Sequence, residues 1–238
     1  SINWVRILLQ IVYYFHAALK LGSPRQKISF SVPTGNFGDI YAGYLAKLMG
    51  LPIDRLVVAT NKNDILHRFI SKNEYSVTAL SKTYSPSMDI LVSSNFERYL
   101  FDLFDRDSVA LCEFMSKFGK ESLSVEEDQW ARVKSCFDSA SVDDDTTCKV
   151  IREIFDKEGK LVDPHTAVAA DAVKSLRDKL SGKTVILSTA HPAKFPLALK
   201  NAGISINNIP KKLSEVLNRK ETAENLSTAD NSIFEYIK

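Results

Sequence analysis

Apolar residues recur at helical spacing through INWVRILLQIVYYFHAALK, which predicts a helix over about 2–20 with Ser1 placed as its N-cap. The period then switches. KISFSVP is a β-branched and aromatic run and predicts a strand over 27–32, followed by a helix over 38–48 in DIYAGYLAKLMG, which stops at a glycine. A second strand is expected over 55–60, and NDIL opens the next helix. Strands separated by helices of about ten residues form βαβ units, with right-handed crossovers and a parallel sheet.

From SNFERYLFDLF at 94–104 through TTCKVIREIFDKEG the period is helical and strand signals are nearly absent. The acidic turn SVDDDTT, 141–147, suits the positive end of the helix that follows it. DPHTAVAADAVKSLRDKL predicts a further helix, with Pro164 near its start and Gly182 marking its end. TVILSTA, 184–190, predicts a strand that closes in small polar residues, and the tail from NNIPKKL onward is charged and helical. The expected fold class is therefore α/β: an open, mostly parallel sheet with flanking helices and a helical insertion in the middle. The expected division is 1–95, an insertion at 96–160, and a return to the first body over 161–238.

Composition narrows the function classes. The 238 residues are 45% hydrophobic and 25% charged, in the range of ordinary globular chains. The net charge of +2 comes from 31 basic and 29 acidic residues spread along the sequence, so the concentrated basic footprint of a nucleic-acid binder is missing. No apolar run reaches membrane-spanning length, because the best candidate is interrupted by Gln10, His16 and Lys20. Cys112, Cys136 and Cys148 form no CxxC pair, which favours reduced thiols and a cytoplasmic location. No HExxH or comparable cluster predicts a metal site. The start at Ser1, without methionine and directly into a helix, is most simply explained if the sequence is part of a longer protein.

The informative stretch is TGNFGD, residues 34–39, between the first strand and its helix. Two glycines three residues apart permit close backbone approach, and the helix start offers unpaired N–H groups and a positive dipole end. A bland turn uses the same glycines, but Thr34 and Asn36 add side-chain donors around the backbone, and the combination suits a phosphate. No GK[ST] follows, which argues against a nucleotide P-loop, and the glycine spacing is wrong for a dinucleotide fingerprint. STAHPAKF follows the last strand, so both polar sequences fall at strand carboxyl ends, where open parallel sheets bind ligands.

SINWVRILLQ, SVPTGNFGDIYAGYLAKLMGLPI, VVATNKNDILHRF, SPSMDILVSSNFER, DPHTAVA and LSTAHPAKFP, in this order, resemble the threonine synthase family of fungi and many bacteria. That resemblance implies a fold-type-II, tryptophan synthase β-like enzyme. It would use pyridoxal 5'-phosphate to convert O-phospho-L-homoserine and water to L-threonine and phosphate. It implies that Thr34, Gly35, Asn36, Phe37, Gly38 and Asp39 receive the cofactor phosphate. Thr189, or Ser188 if the register is one residue off, would bond the pyridine nitrogen. The substrate candidates are Asn3 and Arg6, one helical turn apart, and Asn61, with Asn63 and Asp64 as neighbours.

His165 and His191 stand beside site motifs but each adjoins a proline at a helix entrance, so a structural hydrogen bond is expected; His16 and His67 also look structural. Lys194 is not the family's Schiff-base lysine, which lies upstream of SINWVRIL, so these residues alone are expected to be inactive. Three alternatives remain open: another fold-type-II activity, such as a dehydratase or a threonine-synthase-like phospho-lyase; a non-catalytic phosphate-ligand-binding module; and a purely structural or interaction role.

Overall fold

The computed structural model describes residues 3–205, 209–217, 219–227 and 232–237. Helix α1 (Trp4–Lys20) begins two residues later than the periodicity suggests, because Asn3 is its cap and accepts the Val5 N–H at 2.9 Å; Ser1 lies outside the described residues. Strand β1 (Ile28–Pro33), α2 (Gly38–Leu48), β2 (Ile53–Thr60) and α3 (Ile65–Lys72) then follow as expected. Their strands are buried along most of both faces, as a sheet covered by helices requires.

The middle of the chain contains α4 (Phe96–Leu103), α5 (Ser108–Ser116), α6 (Glu127–Cys136) and α7 (Asp144–Glu158). It also supplies a strand that the helical reading missed, β3 (Phe137–Ser141), which pairs in parallel with β2 from Leu56↔Phe137 to Thr60↔Ser141. FDSAS carries only one strongly strand-forming residue and follows α6 without a loop, so tertiary pairing rather than local propensity makes it extended. The acidic turn behaves as expected, with Asp143 capping α7 through the Thr146 N–H at 2.8 Å.

After α8 (Pro164–Ser175), β4 (Lys183–Ile186) completes a four-stranded parallel sheet in the order β3-β2-β1-β4. The expected strand over 184–190 ends early. Its last ladder bond runs from the Leu187 N–H to Ser31 O, and beyond it Pro33 has no N–H to continue the pairing. The short α9 (Pro196–Asn201) follows. Residues 1–205 form one compact unit, and the remaining residues form a second, which contains α10 (Lys211–Leu217) and α11 (Ser232–Ile237).

One core lies between the sheet and helices α1 to α4. An aromatic cluster of Phe37, Phe69, Tyr75, Phe96, Tyr99 and Phe137 fills much of it. A smaller apolar cluster lies under α8, around Val57, Ala59, Met88, Val142 and Val168. Since all four strands run the same way, their carboxyl ends open on one edge, and the register Ser31↔Ile186 sets the end of β1 beside the end of β4.

Candidate functional site

At that edge lies a cleft of about 640 Å³ between the β1–α2 turn, the turn after β4, one side of α1, the Ser87–Met88 segment and His165. Gly35, Asn36, Gly38 and Asp39 line it from the first turn, and Ser188, Thr189 and Ala190 from the second; α1 contributes Arg6.

The first turn is held from behind. Phe37, in the left-handed region at φ 66°, is buried with its ring 5.0 Å from that of Phe96 and 5.7 Å from that of Phe137. Ser93 Oγ donates to Gly35 O at 2.6 Å, and the Asn95 N–H donates to Asn36 O at 3.0 Å. In a trans peptide the N–H points opposite to the C=O. Fixing those two carbonyls therefore turns the N–H groups of Asn36 and Phe37 the other way, and neither takes an acceptor among the described residues. Asn36 Oδ1 closes the turn by accepting the Gly38 N–H at 2.9 Å. At Gly35 a Cβ would lie 3.0 Å from Ile90 Cδ1, Met88 Cα and Ser87 O, so any other residue requires the turn or the wall to give by a few tenths of an ångström. The result is a cradle of backbone N–H groups at a helix start, which suits an anion carrying several acceptor oxygens.

Asp39 faces the cleft from the first turn of α2, and the buried Tyr14 hydroxyl donates to its carbonyl at 2.9 Å and to Oδ1 at 3.0 Å. Burial raises the Asp39 pKa above the usual carboxylate value, against the smaller lowering effect of the Tyr14 bond. The folded protein therefore binds a proton at pH values where the unfolded chain has lost it. Stability without ligand is expected to fall as pH rises through that window, roughly from pH 4 upward, and Asp39→Asn is expected to flatten the fall. Urea unfolding at stepped pH measures it; equal slopes for both proteins would remove the assignment.

Not every expected residue reaches the cleft. Thr34 is buried behind the turn, donating its hydroxyl to Val32 O at 2.6 Å and its N–H to Ala59 O. Phe37 serves as an anchor. Asn3 uses its side-chain oxygen to cap α1. Asn61, expected at the substrate, is buried with its amide consumed internally: Nδ2 lies 2.8 Å from both Thr83 Oγ1 and Asp89 Oδ1, while Oδ1 accepts the Asn63 N–H. Asn63 joins the same network through Ser81 O and Asp89, and Asp64 pairs with Arg68 at 2.9 Å. These residues brace the loop that carries Ser87 and Met88.

Three of the four histidines have structural partners. His191 Nδ1 accepts the Ala193 N–H at 3.2 Å, and His67 lies 2.9 Å from Ser139 Oγ. His165 is held by Asp163 and, unlike the other two, lines the cleft. Lys194 is the exposed last residue of the turn Pro192–Lys194, outside the cleft lining. Sequence reasoning missed Ser93 and Asn95. Their only signal was their place within SSNF, a run of three polar residues ahead of an amphipathic helix.

The open parallel sheet with flanking helices is the fold of the fold-type-II pyridoxal-phosphate enzymes; at 16% identity the structure of maize serine racemase aligns with 78% of this chain and 50% of its own at a TM-score of 0.50. Residues 166–237 match the family model for the C-terminal region of threonine synthase. The chain is 53% identical over 93% of its length to threonine synthase of Pseudomonas aeruginosa, of which it covers 48%. It is 37% identical over 97% of its length to that of Saccharomyces cerevisiae, of which it covers 50%. The crystal structure of PLP-bound threonine synthase from Brucella melitensis aligns with all of this chain and 51% of its own at 44% identity, with a TM-score of 0.88. In both sequence and fold this chain is similar to threonine synthases. It spans about half the length of the curated relatives it matches.

Proposed function

We propose that the cleft binds pyridoxal 5'-phosphate and that the full-length gene product converts O-phospho-L-homoserine and water to L-threonine and phosphate. The observation that carries this reading is the backbone cradle at Gly35–Asp39, whose carbonyls are tied back and whose Gly35 position is tight for a Cβ. Its donor set fits a phosphate monoester, because backbone N–H groups and a helix start neutralise charge without a counter-ion.

When bound, the cofactor supplies an electron sink for carbanion chemistry, while the protein orients it and sets its protonation. The chain's own residues then have separable tasks. The N–H groups of Asn36 and Phe37 hold the phosphate. Thr189 lines the cleft from the turn after β4. It donates to the ring nitrogen and leaves that nitrogen unprotonated, which a carboxylate in the same place would not do. Arg6 presents a planar fork to the substrate's phosphate. Residues 1–95 and 161–205 then form the cofactor-binding body, and 96–160 is a largely helical insertion that lends it one strand.

The test uses the full-length gene product, titrated with pyridoxal 5'-phosphate and followed by visible absorption, then assayed for phosphate release and threonine. Saturable binding followed by threonine formation is expected. Thr189→Val is expected to keep cofactor affinity within a few-fold, shift the absorption maximum, and lower turnover on the order of ten- to hundredfold, the equivalent of one lost buried hydrogen bond. Phosphate release with a product other than threonine would select the phospho-lyase reading. Absence of cofactor binding would leave only a phosphate-binding module.

A further inference from the structure

We propose that Asp163, His165 and Thr166, at the start of α8, are positioning residues that set the two ends of the cofactor cleft through separate contacts. This inference rests on the cofactor assignment above.

An aspartate that only capped α8 would need to accept from backbone N–H groups alone. Asp163 is fully buried and does more. Its Oδ1 accepts the His165 N–H at 3.0 Å and lies 2.8 Å from His165 Nδ1, and its Oδ2 accepts the Thr166 hydroxyl. Burial alone pushes its pKa up, but the hydrogen bonds from His165 and Thr166 more than offset that and hold it below the usual carboxylate value. An ionised Asp163 is acceptor-only, so both side chains must turn their protons toward it.

The consequence for His165 is a fixed tautomer. With the proton on Nδ1, Nε2 has only its lone pair, and it accepts the Ser87 N–H at 3.2 Å. The Phe195 ring, edge-on at 4.9 Å, fixes the plane of the imidazole. His165 therefore has no free lone pair for proton transfer. What it does is pin Ser87, whose carbonyl oxygen, with Met88 Cα, forms the wall 3.0 Å from the missing Gly35 Cβ. A shift of a few tenths of an ångström in that wall would be felt at the phosphate cradle.

Thr166 acts at the other end. Its one proton goes mainly to Asp163 Oδ2 and is shared, over a long 3.4 Å, with Ser188 Oγ, which accepts. That contact ties the turn after β4, and with it the adjacent Thr189, to the same carboxylate. One buried charge thus reaches the phosphate end through an imidazole and the ring-nitrogen end through a hydroxyl.

A plain helix cap and a two-ended positioning device differ in what they predict. With the full-length protein, affinities for pyridoxal 5'-phosphate and for pyridoxal, which lacks the phosphate, are measured by absorption titration for His165→Ala, His165→Gln, Thr166→Val and Thr166→Ser. His165→Ala is expected to weaken pyridoxal 5'-phosphate binding about tenfold, in line with one lost hydrogen bond, and to leave pyridoxal binding unchanged. His165→Gln, which retains an acceptor, is expected to recover most of the loss. Thr166→Val should keep both affinities but shift the absorption maximum of the bound cofactor, and Thr166→Ser should show no shift. If His165→Ala and Thr166→Val lose both ligands in parallel, or alter neither affinity nor spectrum, the positioning role is overturned while the cofactor assignment stands. If the wild-type protein binds neither ligand, the cofactor assignment falls and this inference with it.

Discussion

Gly35→Val in the full-length protein is expected to weaken pyridoxal 5'-phosphate binding by about a hundredfold or more, which corresponds to roughly 2.7 kcal/mol and is within the cost of forcing extra methyls into a packed site. The reason is local and steric. A Cβ at this position meets three atoms at 3.0 Å, and two of them, Ser87 O and Met88 Cα, are backbone. Those two cannot rotate away as a side chain would, and the segment that carries them is braced by the Asn61–Asn63–Asp89 network and by His165. The turn must therefore move instead, which pulls Gly35 O from Ser93 and changes the aim of the N–H groups. Gly38→Ala is the internal control. Its Cβ would meet Asn36 Oδ1 at 3.1 Å and Asn95 Nδ2 at 3.2 Å, both ends of side chains, so a smaller loss is expected. Absorption titration of both variants decides the matter. A valine at position 35 that leaves the affinity intact would mean that the phosphate binds elsewhere.

That contrast shows what the sequence made legible. TGNFGD sits between an apolar strand and an amphipathic helix, so the cradle could be read from spacing and from the demands of a backbone close to an anion. The parallel βαβ units and the position of the polar STA turn beyond the last strand were legible for the same local reasons. The partners of the cradle were not. Ser93, Asn95 and Ser87 act through contacts with residues some fifty to eighty positions distant, and nothing in a local pattern marks a serine as donating to one carbonyl rather than to water. Asn61 shows the converse. At a strand's carboxyl end it looks like a ligand contact, yet four donor–acceptor partners on a later loop absorb its amide. β3 escaped notice because its extended form is imposed by β2 rather than by its own residues.

Gly43→Ala is expected to cost about 2–3 kcal/mol of stability, the upper part of the range for overpacking a rigid core, and to lower the unfolding midpoint by several degrees in a protein of this size. A Cβ at Gly43 would lie 2.6 Å from Tyr14 Cε1, 2.9 Å from Tyr14 Cζ and 3.0 Å from Leu56 Cδ2. Tyr14 has no route of retreat. Its ring is fully buried 4.8 Å from that of Phe30, and its hydroxyl is fixed on Asp39 by two hydrogen bonds. The relief open to the structure is for α1 to lift from α2, and α1 is the element that brings Arg6, Ile7, Gln10 and Tyr13 to the cleft. The same substitution should therefore raise the KM for the proposed substrate, O-phospho-L-homoserine, while leaving pyridoxal 5'-phosphate affinity closer to wild type, since the cradle is braced by Ser93 and Asn95. Trimming the obstruction with Tyr14→Leu in the Gly43→Ala background is expected to return part of the lost stability, a coupling that a double-mutant cycle reads directly. Strict additivity of the two changes would show that α1 is not seated through this contact.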